Sequence, residues 1–444
     1  MSPPPSPAAE ATGTRPVYRR MRLNVAWLLG GKGFGGVASL IYLAVAARAL
    51  GPAQFGLFSL VLAYGQAIAN LMQFQSWQAV IRYGAQHRAD GEPGRLARVI
   101  GFTTTLDIGS AVLGAATAWL GVTVAGPWLG WSPVEQRDAA AFGAALLLSI
   151  GATPNGVLRL FDRFDLLTYC QAIGPSVRVV GSVMAWWLGG GVPEFLGVWA
   201  AAALIQSAVT WVVALGPRER RPVLGHAAFT QAVAENRRIW RFSWMTNLSS
   251  SLSIFGEQAS TLAVGGVVGT STAGGYRLAS RLAKGLVKPV QAMARVLYPE
   301  MARLVATDDR RTLARIAGRV ELVTAGLAVV VIAAFAVGGG TALTLLAGPA
   351  YASVEMLLFL LAVAAAIDLS GLGLEPVLNA HGKAGKVLAG RAAGAVINLG
   401  LLAALLPVLG AEGAAVAAIA GSLTVRVWLG LSTRQLLRRQ AALP

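Results

Sequence analysis

Apolar windows of about 20 residues recur along this chain from Val25 almost to the C-terminus, each long enough for a helix to cross a hydrocarbon core. Twelve can be counted, at roughly 24–48, 55–77, 99–123, 139–158, 168–188, 195–215, 242–266, 273–294, 321–345, 353–376, 387–408 and 411–432. None shows the alternation of an outer-membrane barrel strand, so the windows predict helices. Little sequence remains between them for a soluble domain. The predicted class is an all-α integral membrane protein with twelve transmembrane helices.

Composition agrees. Of 444 residues, 55% are hydrophobic and only 13% charged, against about 25% charged in soluble domains. The opening MSPPPSPAAEATGTRP is Pro-rich and lacks the apolar stretch of a signal peptide, so it reads as a disordered leader. The single cysteine, Cys170, excludes an intramolecular disulfide and sits in an apolar segment as packing.

The cations set the orientation. Of 37 Lys and Arg, 26 fall on the tails and on the connections from even-numbered to odd-numbered helices, including Arg218, Arg220, Arg221, Arg310 and Arg311. The opposite connections hold only Arg137. The positive-inside rule then places both termini in the cytoplasm. The net charge of +17 is explained by topology and by attraction to anionic membrane lipids, and calls for no nucleic-acid partner. The expected organisation is a cytoplasmic tail (1–22), a six-helix bundle (23–216), a cytoplasmic linker (217–240), a second six-helix bundle (241–433) and a cytoplasmic tail (434–444).

One predicted helix is unusual. In GYRLASRLAKGLVKPVQAMAR (275–295), Arg277, Arg281, Lys284, Lys288 and Arg295 share one helical face, within roughly 60° at about 100° per residue. If the segment lay on the surface, every later helix would invert and the basic 303–319 connection would face outward. It therefore crosses. Facing lipid, its three most central cations would cost roughly 8–10 kcal/mol. Arg295, near the cytoplasmic end, can snorkel to the headgroups, and so can Lys288. The stripe as a whole is better placed as the wall of a water-filled cavity.

Other ionisable groups lie at membrane depth: Lys32, Arg178, Asp107, Glu257 and Asp368. Lys32 and Asp107 have similar depth and admit two readings, mutual neutralisation or a role in transport. Asp107, Glu257 and Asp368 are candidates for ion coupling or charge pairing. Arg391 and Arg426 lie closer to the cytoplasmic surface and read as snorkelling. The cations outnumber the acids, so the expected cavity is net positive and suits an anionic substrate. GGKGFGG (30–36) is no phosphate loop, because Gly33 follows the lysine where Ser or Thr is needed and the setting is a membrane helix. His87, His226 and His381 share no ligand spacing, and no catalytic triad, metal site or cofactor motif is in view, which argues against an enzyme.

The two halves look duplicated. Gly51 and Gly56 recur as Gly269 and Gly274, Val157-Leu158 and Arg163 as Val377-Leu378 and Lys383, and Gly174 as Gly394. Both halves begin on the same side, so the repeats are parallel.

The stretches ALGPAQFGLFSLVLAYGQ (49–66), FQSWQAVIRYGA (74–85), GGYRLASRLAKGLVKPVQAMARVLYPEMARL (274–304) and LNAHGKAGKVLAGRAAGAVINLGLLAALLPVLGAEGAAVA (378–417) resemble bacterial polysaccharide-export flippases of the multidrug/oligosaccharidyl-lipid/polysaccharide exporter superfamily. That resemblance implies a V-shaped pair of pseudo-symmetric six-helix bundles working by alternating access. It implies a substrate of undecaprenyl-pyrophosphate-linked oligosaccharide, with Arg277, Arg281, Lys284, Lys288, Lys32 and Arg178 as candidate cavity cations. A polysaccharide polymerase and a chain-length regulator are the partners it suggests. The alternative within the superfamily is a cation-coupled multidrug exporter, which the deep acids Asp107, Glu257 and Asp368 keep open. A polymerase or ligase would need a large catalytic loop on the outer side, and the longest there is about fifteen residues, 124–138.

Overall fold

The computed structural model describes the backbone of residues 7–285, 287, 310–381 and 383–441; Lys288 and the side chain of Glu257 fall outside the described residues. Fourteen α-helices make up the described chain. In order they are α1 (Pro7–Met72), α2 (Ser76–Ala89), α3 (Pro93–Trp128), α4 (Pro133–Leu148), α5 (Ala152–Leu160), α6 (Phe164–Trp187), α7 (Val192–Leu215), α8 (His226–Glu235) and α9 (Ile239–Val267). The helix α10 is described over 270–285. It is followed by α11 (Arg310–Ala347), α12 (Glu355–Ser370), α13 (Leu374–Ala380) and α14 (Ala384–Ala441).

Two of these are too long to be single spans. At 1.5 Å per residue the 66 residues of α1 would reach about 99 Å, three times a hydrocarbon core. Gly51 (φ 67°, ψ 174°) divides it, and Gly410 (φ 60°, ψ −143°) divides the 58 residues of α14. Seven stretches of the described residues are long and apolar enough to cross a membrane, and two of them, Gly30–Ala89 and Gly385–Leu436, are long enough to cross twice. The helices α6, α9 and α10 lie where the hydrophobic pattern expects three further spans, and α10 is described over 270–285 of its window.

The duplication is visible in the backbone. Gly51, Gly130 and Gly189 turn the chain on one face of the first half with positive φ; Gly269, Gly348 and Gly410 do so in the second. Seventy-nine residues separate the first two in each half (51 to 130, 269 to 348). These sites demand a left-handed backbone, which glycine adopts without strain. Farther along, the Arg163 N–H donates to the Leu158 carbonyl at 2.9 Å, and its counterpart, the Lys383 N–H, donates to Leu378 at 2.9 Å. Leu158 and Leu378 are both fully buried.

The membrane helices break where side chains can take over the backbone's hydrogen bonds, as a medium without water requires. Between α4 and α5 the Ile150 carbonyl accepts from the Ser207 hydroxyl and from Trp211 Nε1 (2.8 Å). The first turn of α5 is capped by Asp107, whose Oδ2 accepts from the Thr153 N–H (2.9 Å) and hydroxyl (2.7 Å). At the corresponding break between α12 and α13, the Ser370 hydroxyl donates to the Ile367 carbonyl at 2.8 Å and accepts from Arg426 at 3.2 Å.

The halves meet mainly through α1, α9 and α10. A Cβ on Gly56 would lie 2.1 Å from the Thr270 carbonyl oxygen, so backbone touches backbone there. Nearby, Arg48 Nε donates to the Leu346 carbonyl (3.0 Å), Tyr351 Oη to that of Ala47 (3.4 Å), and Phe55 meets Tyr351 edge to face. The connecting helix α8 is fastened to the first half. Arg98 grips Glu235, His87 Nε2 lies 2.8 Å from Asn236 Oδ1, and Phe229 packs on Phe102.

Candidate functional site

The cations of α10 share a face, but the structure gives them different surroundings. Arg277 follows Gly274 by one turn and is therefore carried into the crossing of α10 over α1. It is only 6% exposed and donates to the Ser59 carbonyl (3.5 Å) and to Gln66 Oε1 (3.3 Å) of the first half. In this arrangement Arg277 makes a contact between the halves. Arg281, one turn on, is half-buried and has no acid or hydrogen-bond acceptor among the described residues.

Lys284 opens onto a cavity of about 300 Å³ between α9, α10, α12 and α14. Its polar lining comes from Ser260, Tyr276, Ser280, Lys284, Asp368, Asn398 and Ser422. Asp368 sits deep among the helices yet is exposed, because it opens onto the cavity. The Ser422 hydroxyl faces its carboxylate, which the charges of Lys284 and Arg391 attract and that of Glu375 repels. Among the described residues this lining carries one cation and one acid. The net positive cavity expected from the sequence is thus, at this depth, a balanced one.

The remaining candidates lie on the first half. Lys32 is exposed on α1, beside Gly31, which packs against Thr168 of α6. Arg178 on α6 is half-buried, with its guanidinium 5.9 Å from the Tyr42 ring centre and 5.7 Å from that of Trp199. Asp107 is buried and does not line the Lys284 cavity. Besides the Thr153 bonds, its Oδ1 accepts from the Ser76 hydroxyl, so neutral donors satisfy both oxygens and tie α2, α3 and α5 together. Neutralisation by Lys32 is not what holds this carboxylate.

Arg391 and Arg426, expected to snorkel, take acids instead. Arg391 forks onto both Glu375 oxygens at 2.9 Å, and Arg426 reaches Glu321. On the Arg-rich face, ligand atoms of His87, Asp90 and Glu92 lie within 4.8 Å of one another. Glu92 is held there by Arg95 at 3.0 Å and His87 by Asn236, so the group works as a clasp for α8. Ser260, Ser280 and Ser422 are cavity residues that the charge pattern did not single out; hydroxyls inside apolar segments were the available signal.

The family described as "Polysaccharide biosynthesis protein" matches residues 21–305. The chain belongs to that family. This polysaccharide biosynthesis family member is 30% identical over 344 residues to the inner membrane protein YghQ of Escherichia coli (strain K12), covering 75% of this chain and 94% of that protein. Its fold is similar to that of an inward-facing multidrug-resistance MATE family transporter of the MOP superfamily (TM-score 0.71, 15% identity, 94% and 96% of the two chains). It is similar also to the lipid II flippase MurJ in an inward closed conformation (TM-score 0.71, 11% identity, 92% and 87%). The family member is accordingly a multi-pass inner membrane protein with an all-α transporter fold.

Proposed function

We propose that this protein flips undecaprenyl-pyrophosphate-linked oligosaccharide repeat units from the cytoplasmic to the outer leaflet by alternating access. The observation that carries the reading is Lys284, a cation opening onto an interhelical cavity at membrane depth, with Arg281 one turn away on the same helix. Moving a pyrophosphate through a low-dielectric region requires fixed groups that replace its hydration. Ammonium and guanidinium groups do this, and the planar guanidinium adds bidentate contacts. The family match and the likeness to a lipid II flippase support the same class of substrate. With both termini cytoplasmic, the Arg-rich face is the loading side. A polymerase and a chain-length regulator would receive the product. Deleting the gene is expected to remove a surface polysaccharide and to trap the lipid-linked unit in the cytoplasmic leaflet. Lys284→Gln should fail to restore it at normal protein abundance.

Asp368 in the cavity favours a second reading, a cation-coupled exporter of small molecules, in keeping with the MATE likeness. The two separate on the deletion strain. Sensitivity to cationic dyes with intact surface polysaccharide supports the exporter.

A further inference from the structure

The cavity contains its own anion. Lys284 and Asp368 line the same space, and the ammonium acts on the carboxylate. Both charges are particular to the second half. By the repeat offset that pairs Gly56 with Gly274, Lys284 corresponds to Gln66; by the offset that pairs Leu158 with Leu378, Asp368 corresponds to Leu148. Neither counterpart is charged, so the second half differs by a matched pair of opposite charges.

Resting on the flippase reading above, we propose that Asp368 is an internal counter-anion that occupies Lys284 until a multiply charged headgroup displaces it, and that it thereby selects a diphosphate over monovalent anions. Replacing one carboxylate by one monovalent anion at Lys284 leaves the Coulomb balance unchanged, so such a ligand gains little. A diphosphate brings more charge to the same ammonium and to Arg281 beside it, and wins the exchange. The displaced carboxylate is not stranded, which would be costly for a charge at this depth. The Ser422 hydroxyl faces it, and Arg391 attracts it, an attraction that the Glu375 carboxylate bonded to Arg391 partly opposes. A cavity with Lys284 alone would bind any anion of suitable size. Asp368 makes specificity a difference between affinities, with a repulsive element built in.

The test uses the full-length protein in lipid nanodiscs and two probes with one tail, geranyl diphosphate and geranic acid. Affinities are read by tryptophan fluorescence at fixed ionic strength. The wild type is expected to prefer the diphosphate by about tenfold or more. Asp368→Asn should bind geranate more tightly and shrink that ratio severalfold, whereas Asp368→Glu should keep it. Asp368→Ser removes the charge with a smaller side chain and serves if the Asn variant does not accumulate. Wild-type binding with an unchanged ratio in the neutral variants overturns this inference alone, as does parallel weakening of both probes. Absence of geranyl diphosphate binding by the wild type overturns the flippase reading and this inference together.

Discussion

Gly56 and Gly274 hold equivalent positions in the two halves and touch: a Cβ on Gly274 would come within 2.8 Å of Gly56 Cα and 2.9 Å of its nitrogen. The neighbouring atoms are backbone, so no rotamer change makes room. This contact lies at the glycine-turn face, beside Thr270 and the turn at Gly269. In an alternating-access cycle it must open when that face opens. Gly274→Leu is therefore expected to hold the face apart. In a Cys170→Ala background, a cysteine at exposed Ser271 should label faster from that side, and transport should fall while protein abundance holds. Unchanged labelling would mean that the contact does not govern closure.

Arg277 belongs to the same closure. Its bonds to Ser59 and Gln66 exist only while the halves are together. Arg277→Gln should also speed labelling at Ser271→Cys and should leave geranyl diphosphate affinity unchanged. A loss of affinity equal to that of Lys284→Gln would return Arg277 to the substrate path.

Asp107 is expected to act on stability. Asp107→Ala leaves the Thr153 N–H and the Ser76 hydroxyl without their acceptor in a dry setting, at a cost on the order of 2 kcal/mol. The thermal unfolding midpoint in detergent should drop by several degrees. Lys32→Ala should not reproduce that drop, and adding it to Asp107→Ala should not reverse it. Recovery in the double variant would show that the two charges neutralise each other.

The α8 clasp carries a pH dependence. The hydrogen bond from Arg98 holds the Glu235 carboxyl below the usual carboxylate range. A depressed folded-state value contributes stability above the unfolded value of about 4.3, and that contribution is lost as pH falls through the folded value. Protease nicking within 217–225 should therefore rise only below about pH 4 in the wild type. In Glu235→Gln it should be raised at neutral pH as well. A neutral-pH rate equal to wild type would remove the ion pair from the account of the clasp.

The spans and their duplication were legible because both are patterns along the chain. Twelve apolar windows and the Gly51/Gly269 and Leu158/Leu378 pairs need no knowledge of contacts. The same repeat could not say that Gly56 and Gly274 meet, since equivalence under an axis does not place the axis. Helical periodicity put Arg277 and Lys284 on one face correctly. What separates them is the crossing at Gly274, which buries Arg277 against the first half and leaves Lys284 open. Asp107 shows the same limit: hydropathy gave its depth, but Ser76 and Thr153 lie 31 and 46 residues away in sequence. The pairing of Arg391 with Glu375 was nearer to hand, and the snorkelling rule, which considers one side chain at a time, passed over it.

The central claim is that Arg281 and Lys284 of α10 carry an anionic lipid headgroup across the membrane. It is tested most directly in liposomes holding the purified protein and a fluorescent polyprenyl-diphosphate-linked saccharide, by the fraction of label that a membrane-impermeant quencher reaches over time. The wild type should exchange the label between leaflets, and Arg281→Gln and Lys284→Gln should each slow that exchange at least about tenfold at equal protein density. Exchange that is equally fast in the wild type, in both variants and in empty liposomes would contradict it.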